Sequence, residues 1–124
     1  MVVKFLGTWL VTALLALPLP VAAETYLLMA QEAGCIWCAK WNKEISHIYP
    51  KTPEGRTAPL RRYDLRGDTP DVAFTHPVRF TPTFVLVQDG TEVGRIEGYA
   101  GEDFFWGLLN MVFERANISL EKSG

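Results

Sequence analysis

Thr25 to Ala30 (TYLLMA) is apolar through Tyr26, Leu27, Leu28 and Met29, with no alternation of polar and apolar residues. A strand with that pattern is buried on both faces, so whatever sheet it joins has to be covered above and below. This excludes a sheet with one solvated face and points to a layered α/β domain.

The residues that follow supply the layers. After a short loop, Gln31 to Gly34, the segment from Cys35 to about Tyr49 places Cys38, Trp41, Ile45 and Ile48 at spacings of three and four, which is one buried helical face. Lys40, Lys43, Glu44 and His47 fall on the opposite side, and Pro50 is expected to stop the helix. Pro50 to Pro59, rich in proline, glycine and charge, reads as a surface loop longer than the usual connection and a candidate insertion. Leu60 to Leu65 reads as a second strand, with Arg62, Asp64 and Arg66 alternating with Tyr63 and Leu65. Asp68-Thr69-Pro70-Asp71 has the form of an N-cap followed by proline in the first turn, predicting a short helix that Pro77 ends. Phe84–Val87 and Glu92–Glu97 are predicted strands joined at Asp89-Gly90, a hairpin signal. Gly101-Glu102-Asp103 opens a helix to about Arg115, acidic at its start and basic at its end as the helix dipole prefers. The order strand, helix, strand, short helix, strand, strand, helix requires a parallel first pair and an antiparallel last pair. A four-stranded mixed sheet with helices on both faces is the expected architecture.

The first 23 residues read differently. Lys4 gives a basic start, Phe5 to Leu17 is uncharged and apolar, and Pro18 to Ala23 breaks the run before small residues at Val21 and Ala23. That is the form of a secretory signal peptide cleaved after Ala23, and the apolar run is shorter than the roughly 20 residues a membrane span needs. An uncleaved anchor is the alternative reading. Cleavage of 23 residues from 124 leaves 101, a single domain, 24–124, large enough to bury about 65% of its unfolded surface without a staple. Losing Lys4 from 12 basic residues against 14 acidic leaves a net charge of about −3 with both histidines neutral. Such a balance offers nucleic acid nothing.

The only two cysteines lie at Cys35-Ile36-Trp37-Cys38, where the first helix begins. A pair this close removes little chain entropy when bridged, so structural stapling is a poor reason for it. At a helix start, unpaired backbone N–H groups stabilise a thiolate on the leading cysteine, and two intervening residues let the sulfurs meet. This spacing points to dithiol–disulfide chemistry with Cys35 outermost and Cys38 a turn inward. A static disulfide or a metal site is the competing reading, although two cysteines fall short of the four ligands of structural zinc, and His47 and His76 suggest no metal site. No cofactor is called for.

Together, Cys35-x-x-Cys38 after a first strand, Thr81-Pro82-Thr83 before an apolar strand, Asp89-Gly90 in the hairpin and Gly98 after the last strand resemble the thioredoxin superfamily. The resemblance covers nearly all of the chain after residue 23. A leader, a very short domain and Gly34-Cys35-x-Trp37-Cys38 are most similar to the periplasmic thioredoxins encoded with bacterial sulfur-oxidation systems, the SoxS type. It implies a thioredoxin-like fold lacking the extra N-terminal strand and helix. It also implies a cis Thr81–Pro82 peptide whose Thr81 backbone is offered to an extended substrate, and Cys35 and Cys38 as nucleophilic and resolving thiols. Trp37, between the cysteines, is a further candidate substrate contact. Met29 stands where many thioredoxins carry a buried aspartate six residues before the leading cysteine; Glu32 and Lys40 are the only nearby substitutes, and both read as solvated residues.

The function so implied is a monomeric periplasmic thiol–disulfide oxidoreductase that reduces a cysteine-bearing partner, the sulfur-carrier protein of thiosulfate oxidation if the SoxS likeness extends to the client. An inner-membrane thiol transporter would be its electron donor. A general or cytochrome-c-maturation disulfide reductase is the same chemistry with another client.

Overall fold

The structure, a computed structural model, describes residues 2–4, 7–19 and 24–121. Four strands, β1 (Thr25–Gln31), β2 (Leu60–Asp64), β3 (Thr83–Gln88) and β4 (Thr91–Glu97), form one sheet in the order β2-β1-β3-β4. β1 pairs parallel with β2 and antiparallel with β3, and β3 pairs antiparallel with β4. The sheet is mixed, and β1 sits inside it with Tyr26 to Ala30 buried. At the β3–β4 hairpin Asp89 and Gly90 both have positive φ, 52° and 75°, as a two-residue turn matched to the strand twist requires.

One face is covered by helices. α1 (Ile36–Trp41) passes into a π-helical turn, Asn42–Ser46, then a 3₁₀ turn, Tyr49–Lys51, and α2 (Pro53–Thr57). α3 spans Glu102–Arg115. Leu27, Met29, Phe84 and Leu86 from the sheet pack with Cys38, Trp41 and Ile45 below the cysteines and with Phe105, Leu109 and Phe113 of α3. Trp41 is fully buried, its ring 5.0 Å from that of Phe84 and 5.6 Å from that of Phe105. On α3, Phe104, Leu108 and Met111 face solvent, whereas Trp106 stacks on Tyr49 at 6.2 Å. Trp106 is thus partly buried against the core cluster, whereas Leu108 is not.

Two segments depart from expectation. Pro50 does not end the helical path, since it lies within the 3₁₀ turn, where a missing N–H costs little. Pro50 to Pro59 is not a loop either: Thr52 caps α2 by accepting from the Gly55 N–H at 3.0 Å, with Pro53 in its first turn.

The helix expected after Asp68 does not form, so helices do not cover both faces. Residues 65–82 run as an extended cover instead, in which Val72, Phe74 and Val78 pack with Tyr63 against Tyr26, Leu28, Val85 and Val87. A helix confined between two prolines is too short to offset its nucleation cost. The extended form gains partners at the hairpin turn and the start of β4: the Ala73 N–H donates to Gly90, and Ala73 accepts from the Glu92 N–H.

Glu92 anchors this cover. Its carboxylate accepts from Arg95 Nη2 at 2.6 Å and Nε at 2.8 Å, and from the Thr75 hydroxyl at 2.8 Å. Both charged side chains are nearly buried. Burial opposes the Glu92 charge, but the hydrogen bonds from Arg95 and Thr75 outweigh it and hold the carboxyl below its ordinary range. A depressed carboxyl pKa stabilises the fold above the unfolded value, about 4.3, and that contribution is lost as pH falls through the lower folded value. Glu92→Gln is expected to cost about 1.5 kcal/mol at pH 7. The deficit should shrink below about pH 4 as the wild-type carboxyl also protonates. Urea unfolding at pH 7 and at pH 3 measures both; an equal deficit at the two values would remove the charge argument.

Candidate active site

β1 delivers the chain to the cysteines through a tight loop, where Gly34 takes a positive φ of 82°. Cys35 occupies the N-cap of α1 with extended backbone, and Cys38 lies in its first turn. The two form a disulfide with a Cα separation of 5.2 Å. The Cys38 N–H donates to Cys35 Sγ at 3.1 Å, the type of contact that favours negative charge on that sulfur once the bond is reduced. Cys38 is 4% exposed whereas Cys35 is only partly buried, so an incoming sulfur reaches Cys35 first.

Thr81–Pro82 is a cis peptide directly preceding β3. Among the described residues, no backbone hydrogen bond engages the N–H or C=O of Thr81. The Pro82 carbonyl, by contrast, accepts from the Gly98 N–H at 2.7 Å, and Phe80 accepts from the Thr83 hydroxyl at 2.7 Å. The residue before the proline is thus held at its flanks and open at its own peptide groups.

Glu32 joins these two parts. Its carbonyl accepts from the Cys35 N–H at 3.3 Å, its Oε1 accepts from the Thr81 hydroxyl at 2.8 Å, and its Oε2 accepts from Arg66 Nε at 3.0 Å. Glu32, expected from the sequence to be solvated, instead has a side chain 26% exposed and held on both carboxylate oxygens. Its tie to Thr81, 49 residues away, leaves no local signature. Lys40, the other substitute considered, pairs with Glu44 at 3.7 Å and lies 5.6 Å from the Trp37 ring centre. Trp37 itself is 50% exposed beside Ile36, at 72%.

An open pocket of about 460 Å³ reaches both cysteines and is bordered by Gln31, Glu32, Asn42 and Asp64. Met29 is fully buried beneath. Arg62 closes the adjoining space, with Nη1 at 3.4 Å from Met29 Sδ, 3.0 Å from Gln31 Oε1 and 2.7 Å from Asn42 Oδ1. Burial pushes its guanidinium pKa down. Where a buried carboxylate would serve as proton acceptor, this chain has a thioether and a cation held by neutral amides. Among the described residues no cluster of three or more histidine, cysteine or acidic side chains could hold a metal.

A family model described as a thioredoxin-like domain matches residues 20–113. The chain belongs to the thioredoxin-like family. Among solved structures it is similar to the reduced form of the periplasmic thioredoxin SoxS from Paracoccus pantotrophus, at 48% identity and a TM-score of 0.73. The match covers 75% of this chain and 99% of that one. No curated protein sequence gives a match. With its cysteine pair at disulfide distance, this thioredoxin-like chain is a thiol–disulfide oxidoreductase, and members of its family act on protein thiols and disulfides.

The two burials set what this arrangement can do chemically. In the reducing direction a thiolate on the more accessible Cys35 can attack one sulfur of a substrate disulfide, the other substrate sulfur leaving as a thiolate that takes a proton. A Cys38 thiol that gives up its proton can then attack Cys35 Sγ, which releases the second substrate thiol, closes the Cys35–Cys38 bond and completes the passage of two electrons to the substrate.

Proposed function

We propose that the chain is a periplasmic disulfide reductase of the SoxS type, exported by residues 1–23, cleaved after Ala23 and acting as a monomer. Cys35 is the nucleophile, Cys38 the resolving thiol, and Thr81, Pro82 and Trp37 form the substrate contact. The observation that carries this reading is the pairing of an accessible Cys35 with a buried Cys38 beside the unpaired peptide groups of Thr81. An extended client strand laid against Thr81 would gain main-chain hydrogen bonds with little demand on its sequence. The exposed Trp37 supplies apolar contact at the same end of the sheet.

The export reading rests on the sequence of the leader. Residues 7–19 carry no helix or strand, and their large apolar side chains, Trp9 and Leu14 among them, are exposed. No helix among the described residues is long and apolar enough to cross a membrane. The cut itself lies outside the described residues. The reducing direction rests on the short stretch between Cys38 and Pro82, which holds no inserted helical domain of the kind the family's dedicated oxidants carry. Electrons then have to be imported, and a membrane thiol transporter is the donor. The client we assign, from the SoxS resemblance, is the sulfur-carrier protein of a sulfur-oxidation system, reactivated by removal of a blocking disulfide.

A trapping experiment tests the whole reading. Cys38→Ser, expressed with its leader in sulfur-oxidising cells, should accumulate as a mixed disulfide through Cys35. The adduct should appear in the periplasmic fraction, with Glu24 as the first residue of the trapped chain and the sulfur carrier as its partner. Absence of any adduct overturns the reductase reading, another partner overturns the client, and an intact leader overturns cleavage.

A further inference from the structure

We propose that Glu32 is a positioning residue that locks the substrate-binding peptide to the turn carrying the nucleophile, so that a client strand docked on Thr81 presents its disulfide to Cys35. The proposal rests on the functional reading above, in which Thr81 is the docking peptide.

Three bonds converge on Glu32 and each reaches a different segment. The carbonyl receives the Cys35 N–H, Oε1 receives the Thr81 hydroxyl and Oε2 receives Arg66. The sheet ladders end just short of these residues, with Ala30 opposite Thr83 and Gln31 opposite Asp64, so the Glu32 bonds fix the loop residues beyond the paired strands. The loop before β3 is 49 residues beyond Glu32 in sequence, and Thr81 itself makes no backbone hydrogen bond among the described residues. The hydroxyl–carboxylate bond is charge-assisted and part-buried, the stronger class of hydrogen bond.

The pair with Arg66 does not by itself account for Glu32. The Arg66 side chain is 79% exposed, and ion pairs of that kind contribute little to stability. Its effect is to hold the carboxylate in place while the better-shielded oxygen holds Thr81. Only 26% of the Glu32 side chain is exposed. Each carboxylate oxygen is held by a donor other than a thiol, and among the described residues neither cysteine sulfur is hydrogen-bonded to Glu32, so its contacts are those of an orienting group.

Disulfide reactions need the attacking sulfur in line with the bond it breaks, and small misplacements of a bound substrate cost rate. Loosening Thr81 should therefore harm substrates that dock through their backbone more than those that do not. The test compares an extended peptide containing a disulfide with 5,5′-dithiobis(2-nitrobenzoate), a small disulfide with no peptide backbone. Reduced wild-type protein and the variants Glu32→Ala, Glu32→Gln and Thr81→Val are assayed on both.

Glu32→Ala and Thr81→Val are each expected to lower the ratio of peptide to small-disulfide kcat/KM about fivefold to tenfold, chiefly through KM, the scale of one lost hydrogen bond. The double variant should be no worse than either single one, because both remove the same bond. Glu32→Gln, whose amide oxygen can still accept from Thr81, should recover most of the ratio. An unchanged ratio, an equal fall on both disulfides, or fully additive losses would each overturn the proposal. Wild-type protein inactive on both disulfides would overturn the functional reading itself, and the positioning role with it.

Discussion

Gly55→Ala is expected to destabilise the protein by on the order of 4 kcal/mol, at the upper end for a single substitution. A Cβ at this position would lie 1.8 Å from the carbonyl oxygen of Tyr49 and 2.6 Å from its carbon. Neither atom can move aside as a side chain would. The Tyr49 carbonyl accepts from the Thr52 hydroxyl at 2.7 Å, that hydroxyl oxygen caps Gly55, and the fully buried Tyr49 ring lies against Trp41 and Trp106. The Tyr49 hydroxyl donates to Ala58 at 2.7 Å at the far end of α2. Burial, with the nearby Glu54 charge, pushes that phenol's pKa far up and keeps it a donor. Making room for a methyl group would displace this whole arrangement. For a urea slope of about 2 kcal/mol/M the midpoint should fall by about 2 M. A midpoint within about 0.3 M of wild type would show that the close approach is not required.

The same segment shows why part of the fold was legible and part was not. Thr52-Pro53-Glu54 and Asp68-Thr69-Pro70-Asp71 carry the same local grammar, a capping residue followed by a proline fit for a first turn. Only the former makes a helix. Tyr49 decides that case, since its buried ring and carbonyl need α2 beneath them, and Glu92 decides the other by pulling Thr75 and its neighbours into an extended run along β4. Glu92 is a tertiary partner, 17 residues from Thr75, whereas Tyr49 acts within nine residues but through burial of its ring in the core. Where no distant partner competes with a local signal, sequence and structure agree. Asp89-Gly90 makes its turn, TYLLMA is the buried strand, and Cys35 caps α1 with Cys38 in its first turn. The candidate site divides in the same way: the cysteines and Thr81-Pro82 were readable as motifs, whereas Glu32, which connects them, was not.

Cys35→Ser should abolish steady-state reduction of disulfides, a fall of roughly three orders of magnitude or more and so about 4 kcal/mol in barrier. Cys38→Ser should instead retain the first step and lose the second. The difference comes from placement, because the two sulfurs are chemically alike until the fold separates them. Cys35 caps α1 at the open end of the pocket and receives the Cys38 N–H, whereas Cys38 is enclosed by the core beside Trp41 and Met29. The carboxylates of Glu32 and Asp64 border the pocket, but among the described residues none is hydrogen-bonded to Cys38, so its proton has no base held directly against it. Single-turnover mixing with a chromogenic disulfide separates the two steps. Wild type should release both product thiols per protein, Cys38→Ser one with a stable adduct, and Cys35→Ser none on the same timescale. Release of product by Cys35→Ser at a rate near wild type would mean that Cys38 can be reached directly, and the order of attack would have to be reversed.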